Sequence, residues 1–145
     1  MTDNRRILLV EDDPDDAELI VTGLRRSNLG NDIDIVGDGV EALDYLYRRG
    51  TFVGRPTPDP VLILLDLKMP RIDGREVLEE IKSHPTLKHV PVVVLTSSAQ
   101  ERDIAQGYEL GANAYVVKPV HFRDLVDAVA QIGLFWVVVN RSPNK

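Results

Sequence analysis

Four short runs of consecutive apolar residues, at 7–10, 61–65, 92–95 and 115–117, are separated by stretches whose apolar residues recur at helical spacing. Runs of this length are too short for buried helices, and their lack of polar alternation is that of strands covered on both faces, an arrangement typical of parallel sheets. Between them, Ala17, Ile20, Val21 and Leu24 share a helical face, as do Val77, Leu78 and Ile81, and then Ile104, Ala105 and Tyr108. A weaker strand candidate at 33–36 precedes Gly37-Asp38-Gly39 and a helix using Val40, Ala42, Leu43, Leu46 and Tyr47. Asp13 before Pro14 marks a helix start, because the Asp oxygen caps free amides and Pro at the first helical position forfeits no hydrogen bond. Strand and helix alternate through five units. The pattern predicts an open, doubly wound α/β fold: a five-stranded parallel sheet with helices on both faces.

Each apolar run ends in a reactive or charged group. The first leads into Glu11-Asp12-Asp13, the second into Asp66, the third into Thr96 and the fourth into Lys118-Pro119. In doubly wound sheets, ligands gather at the carboxyl ends of strands, so carboxylates, a hydroxyl and an amine are expected on one edge. Composition narrows the classes. At 145 residues the chain has the size of one domain, and 43% hydrophobic with 28% charged residues suits a folded core rather than disorder. A net charge of -6 with no basic stripe disfavours direct nucleic-acid binding. Without cysteine, neither a disulfide nor a thiolate zinc site can form, which is compatible with the cytoplasm. The amino terminus enters a run of only four apolar residues before Glu11, too short for a signal peptide or membrane helix, so no membrane association is expected.

Five matches, in order, make the chain resemble the receiver domain of two-component response regulators. They are Val10-Glu11-Asp12-Asp13-Pro14; Leu65-Asp66-Leu67-Lys68-Met69-Pro70-Arg71-Ile72-Asp73-Gly74; Leu95-Thr96-Ser97-Ser98; Gly111-Ala112-Asn113-Ala114-Tyr115; and Val117-Lys118-Pro119. The resemblance implies a flavodoxin-like fold, transfer of a phosphoryl group from a histidine kinase to Asp66, dependence on Mg2+, and eventual hydrolysis of the acyl phosphate. It implies a phosphoacceptor signalling protein rather than an enzyme acting on external substrates.

The chemistry at each position agrees with that role. A carboxylate such as Asp66 can attack phosphorus, but it must approach an anionic donor. Two carboxylates about 4 Å apart repel by roughly 4 kcal/mol at an effective dielectric near 20, so grouping Glu11, Asp12 and Asp66 calls for a cation. Magnesium takes six oxygens and keeps waters; Asp12 and Asp66 would bind it directly and Glu11 partly through water. The family position adds the backbone carbonyl of Lys68. Asp13 reads as the helix cap. Lys118 offers a point charge for phosphoryl oxygens, and Thr96 a hydroxyl donor that, by resemblance, moves inward on phosphorylation. Tyr115 would then turn inward and alter the face made by the fourth helix, fifth strand and fifth helix. Lys68 and Ser98, each two positions beyond a site residue, are where receivers tune phosphate lifetime. His84, His89 and His121 show no ligand or phosphotransfer pattern and read as surface or cap residues.

Residues 49–60 form a long loop rich in Arg, Gly and Pro before the central strand. At the other end, Val129, Ile132, Phe135, Trp136 and Val139 continue a helical apolar stripe, which predicts an extended final helix; Val137-Val138-Val139 leaves a strand open. The chain is expected to be one receiver domain over 1–145, with 133–145 as an extension. Loop, extension and motifs together make it similar to small response regulators paired with phytochrome-type histidine kinases. An exposed stripe at Phe135, Trp136 and Val139 would mark a homodimer or a kinase-docking surface, and packing on the protein's own sheet is the competing reading. Two other classes share parts of the pattern: a magnesium-dependent phosphohydrolase using the Asp nucleophile, and a flavodoxin-like electron carrier, which lacks here a glycine loop for the flavin phosphate.

Overall fold

The computed structural model describes residues 6–26, 32–67, 69, 72–96, 111–118 and 120–131. Along these run β1 (Ile7–Val10), α1 (Pro14–Arg26), β2 (Ile33–Val36), α2 (Gly39–Tyr47), β3 (Leu62–Asp66), α3 (Gly74–Ser83), β4 (Val92–Thr96), β5 (Ala114–Val117) and α4 (Phe122–Gln131). Short 3-10 turns occupy Gly50–Phe52 and Leu87–His89. The strands form one five-stranded sheet in the order β2-β1-β3-β4-β5, and each neighbouring pair is parallel. The fold class predicted from the alternating apolar runs is the one observed.

Alternation along the strands divides the core between the two faces. Leu8, Val10, Ile63, Leu65, Val92 and Val94 pack with Ala42, Leu43 and Leu46 of α2 and with Val77, Leu78 and Ile81 of α3. Ile7, Leu9, Leu62, Leu64, Val93 and Leu95 turn the other way, against Ala17, Ile20 and Leu24 of α1 and Leu125 and Ala128 of α4. All of the residues in β1 and the first four of β3 and β4 have no exposed surface. Full burial of one such side chain contributes about 1.5–3 kcal/mol. The three central strands are therefore the most deeply buried of the described elements, and the groups at their carboxyl ends are anchored to that core.

Helix starts obey the signals in the sequence. Asp13 Oδ1 accepts from the amides of Asp15 at 2.8 Å and Asp16 at 3.3 Å, which confirms it as the cap of α1. Asp38 caps α2 by accepting from Glu41 N at 2.8 Å, and Gly37 N donates back to Glu41 Oε1 at 2.6 Å, a reciprocal pair that satisfies two free amides. Asp73 caps α3 through Glu76 N at 3.1 Å.

The Arg-rich segment between α2 and β3 is braced from within. Arg48 closes α2 in the left-handed region, φ 55, where its own N–H can turn back on the last helical carbonyls. Its guanidinium donates to Thr57 O at 2.7 Å and pairs with Asp59 at 3.5 Å. Arg55 lies over the Tyr45 ring, 4.0 Å from its centroid, and donates to the carbonyls of Tyr45, Thr57 and Pro58 at 3.0–3.1 Å. Two arginines thus supply donors that a loop of this length would otherwise draw from water.

The expected helix around Ile104, Ala105 and Tyr108, and the extended final helix through Phe135, Trp136 and Val139, lie outside the described residues; α4 is described to Gln131. Among the described residues, no helix is long and apolar enough to cross a membrane.

Candidate functional site

Parallel register brings the polar strand ends together. Val10 lies beside Leu65, Asp66 beside Leu95, and Thr96 beside Val117, so Glu11, Asp66, Thr96 and Lys118 finish adjacent strands on one edge. Backbone hydrogen bonds continue past the strands and fix them there: Glu11 N to Val36 O at 3.0 Å, Leu67 N to Leu95 O at 3.2 Å, and Lys118 N to Thr96 O at 2.7 Å. The chain reverses its direction of winding between β1 and β3, and this switch point is where doubly wound sheets open a crevice.

Glu11, Asp66 and Thr96 are buried, and Asp12 is exposed. Lys118 Nζ stands 2.8 Å from Glu11 Oε1, 3.1 Å from Asp66 Oδ2 and 3.3 Å from Asp16 Oδ2. One ammonium therefore faces three carboxylates. Glu11 Oε2 accepts from Asp13 N at 3.2 Å, whereas Glu11 Oε1 is buried and, despite its short approach to Nζ, has no well-aligned hydrogen bond. Burial, and then the nearby Asp66 charge, push the Glu11 carboxyl up to about 7, against the pull of Lys118. Burial works against the Lys118 ammonium, but the carboxylates of Glu11 and Asp66 outweigh it and hold the pKa above that of an ordinary lysine.

Glu11, Asp12 and Asp66 each offer a carboxylate oxygen within 4.8 Å of the others. An all-oxygen set with a buried, poorly satisfied Glu11 oxygen suits a hard divalent cation. The three acids that the sequence singled out converge. Tyr115 is half-buried and packs against the core on the α2 and α3 side. Lys68 and Ser98 lie outside the described residues, as do Phe135, Trp136 and Val139. His84 is a cap, its Nδ1 accepting from the amides of Thr86 and Leu87 at 3.1 Å each, and His89 and His121 are exposed.

Two contributors were not singled out from sequence. Asp16, in the first turn of α1, reaches Lys118 across 102 positions of chain; the sequence shows only another acid at a helix start, where acids are common. Gly74 opens α3 directly behind the site, donating to Leu67 O at 2.8 Å. A Cβ there would lie 2.3 Å from Asp66 O and 2.6 Å from Leu67 Cα. Backbone cannot swing aside as a side chain can, so Gly74→Ala is expected to destabilise the fold by about 2–3 kcal/mol and to displace Asp66. Urea unfolding measures the first effect; a wild-type midpoint would mean that α3 can shift without strain.

The chain matches the family model of the response regulator receiver domain over residues 7–130. It is similar to response regulator Rcp1 of Synechocystis sp., 44% identical over 131 residues that cover 90% of this chain and 88% of that protein. The crystal structure of the Mn(2+)-bound form of Rcp1 superposes with a TM-score of 0.75 at 41% identity, covering 97% of this chain and 99% of that one. The bacteriophytochrome response regulator RtBRR superposes with a TM-score of 0.88 at 52% identity, over 96% of this chain and 84% of that one. The phosphorylated cyanobacterial phytochrome response regulator RcpA gives 0.75 at 43% identity, over 97% and 99%. These matches lend no support to a free-standing phosphohydrolase or a flavin carrier.

Proposed function

We propose that this chain, which belongs to the response regulator receiver domain family, accepts a phosphoryl group on Asp66 and reports it through Thr96 and Tyr115. It is a signalling protein of the two-component type. The observation that carries the assignment of Asp66 is the ammonium of Lys118, 3.1 Å from its carboxylate and 2.8 Å from Glu11, at the carboxyl end of a central strand. In the transfer, an Asp66 oxygen forms a bond to phosphorus as the bond from phosphorus to the donor's leaving atom breaks. That atom is an imidazole nitrogen of the kinase or a carboxylate oxygen of a small acyl phosphate. Lys118 is placed to meet charge on the phosphoryl oxygens, and Thr96, fully buried at the next strand end, to donate its hydroxyl to one of them.

Magnesium would be held by Glu11, Asp12 and Asp66, with the Lys68 carbonyl added by family position, and when bound it would offset the negative charge on acceptor and donor. Family position also assigns phosphate-lifetime tuning to Lys68 and Ser98. The phosphorylated aspartate is bulkier and more anionic than a carboxylate, so it gains contacts with Thr96 and Lys118 that the free state lacks. Those differential contacts drive the switch, and Tyr115 relays it to the partner-binding face.

Likeness to RtBRR and RcpA supports a phytochrome-type histidine kinase as the donor, and the cysteine-free sequence is compatible with their meeting in the cytoplasm. In this reading 1–145 is one receiver domain extended by 133–145, and the apolar stripe at Phe135, Trp136 and Val139 supports a homodimer. The chemistry is tested by intact mass after incubation with a small acyl phosphate. With Mg2+ the protein is expected to gain one phosphoryl group and to lose it slowly on removal of the donor; with a chelator it should gain none. Uptake that ignores the metal would overturn this reading of the acidic cluster.

A further inference from the structure

We infer that Asp16 is a positioning residue for phosphoryl transfer: it tethers Lys118 to the first turn of α1 and competes with the incoming phosphoryl group for that ammonium. The inference rests on the receiver reading and extends it to a residue outside the acidic cluster. Lys118 Nζ is met by Glu11 at 2.8 Å, Asp66 at 3.1 Å and Asp16 at 3.3 Å. Glu11 and Asp66 belong, with Asp12, to the set whose oxygens lie close enough to share one cation. Asp16 does not. Of the three carboxylates that face Lys118, Asp16 is therefore the one that a divalent ion shared by Glu11 and Asp66 would not engage.

The tether is anchored at both ends. The Asp16 amide is itself held by the Asp13 cap at 3.3 Å, and the helix behind it is locked into the core through Ala17, Ile20 and Leu24. At the other end, Lys118 N is bonded to Thr96 O at 2.7 Å. Only the side chains between these points can give. An ammonium that is to serve phosphoryl oxygens on Asp66 must loosen its hold on α1, so Asp16 opposes phosphorylation and links the state of Asp66 to the first helix.

The tether has two effects of opposite sign. In Asp16→Asn, Lys118 settles fully on Glu11 and Asp66 and contests them with the metal, so Mn2+ affinity, followed by electron paramagnetic resonance, should weaken about three- to fivefold. At saturating Mg2+ the same variant should take up phosphoryl from a small acyl phosphate about three- to fivefold faster, because nothing on α1 competes for Nζ. Asp16→Glu keeps a carboxylate within reach and should return both values toward wild type. Asp15→Asn removes the same charge from the neighbouring, exposed position and should change either value by less than about 1.5-fold.

In a Lys118→Ala background the effect of Asp16→Asn on Mn2+ binding should shrink to that of Asp15→Asn. Equal effects of the two Asn variants, or a fall in both affinity and rate for Asp16→Asn, would overturn the tether. So would a metal effect that persists without Lys118. If wild type takes up no phosphoryl group at all, it is the receiver reading that fails, while the Mn2+ titrations still decide whether Asp16 restrains Lys118.

Discussion

In the Asp66→Asn protein, phosphoryl uptake is expected to disappear while the metal-free fold becomes more stable. The first effect is chemical: a carboxamide is a poor nucleophile toward phosphorus, and the charge that would hold the cation on that strand end is lost. The second comes from the crowding of carboxylates. Asp66 is 4% exposed and Glu11 3%, and the Asp66 charge is one of the causes that raise the Glu11 carboxyl. Replacing one of two mutually repelling buried anions leaves Lys118 with Glu11 and Asp16. A gain of about 0.5–2 kcal/mol is typical when such a site is neutralised. Metal should reverse the ranking, since a ligand at a hundred times its Kd stabilises the protein that binds it by about 2.7 kcal/mol. Urea unfolding with chelator and with Mg2+, beside intact mass after acyl-phosphate treatment, reads both effects. Retained uptake would place the acceptor elsewhere, and a metal-free loss of stability would mean that the Lys118–Asp66 attraction exceeds the repulsion it relieves.

Lys118→Ala should cut the rate of phosphoryl uptake by about a hundredfold, the usual cost of deleting one fixed donor to developing charge. Its effect on stability should depend on pH and on metal. Glu11 carries a pKa raised from 4.5 to about 7 in the fold. A folded state that binds this proton more tightly than the unfolded chain is favoured at low pH and loses that advantage as pH rises from 4.5 through the folded value. Lys118 acts against this rise by lowering the Glu11 pKa. Without it the folded value moves up, and the decline deepens and extends further into the alkaline range. The variant should therefore lose least at about pH 5, where Glu11 is protonated and the forfeited contact is the pairing with Asp66, and lie below wild type by about 2–3 kcal/mol at about pH 8 in chelator, less than a fully sealed pair would lose, because Lys118 keeps some solvent contact. Magnesium should restore most of the difference. A pH-independent loss would mean that Lys118 acts by packing its stem rather than by its charge.

Much of this arrangement was legible in the residues, for identifiable reasons. β1, β3 and β4 are buried on both faces, so their apolar runs are continuous and unmistakable; β3 differs only in running Leu62–Asp66 instead of 61–65, because its ladder with β4 carries Asp66. β2 gave a weaker signal because it lies at the sheet edge. There Asp34 interrupts the apolar pattern and is held by Arg6 at 2.9 Å and by the Tyr45 hydroxyl. Glu11, Asp12, Asp66, Thr96 and Lys118 could be proposed together because parallel strands deliver their ends to one edge whatever their order. The order itself, β2-β1-β3-β4-β5, is written in no local pattern. Asp16 escaped notice because its significance is a 3.3 Å contact with a residue from the far end of the chain. Gly74 was hidden at the end of a motif that gave it no role of its own, although the reason for glycine there is the backbone of Asp66 pressed against it.

The bracing of the segment between α2 and β3 sets a rule for how that part of the chain can vary. Arg55 serves three carbonyls and stacks on Tyr45, and Arg48 reaches Thr57 and Asp59. Only a planar fork can span so many acceptors; lysine, with one compact ammonium, cannot stand in for either arginine. The distances that the two guanidiniums bridge act as a gauge of loop length. An inserted or deleted residue would put the carbonyls out of reach, so in a lineage of such proteins the length of this segment and its arginines should change together, or neither should change.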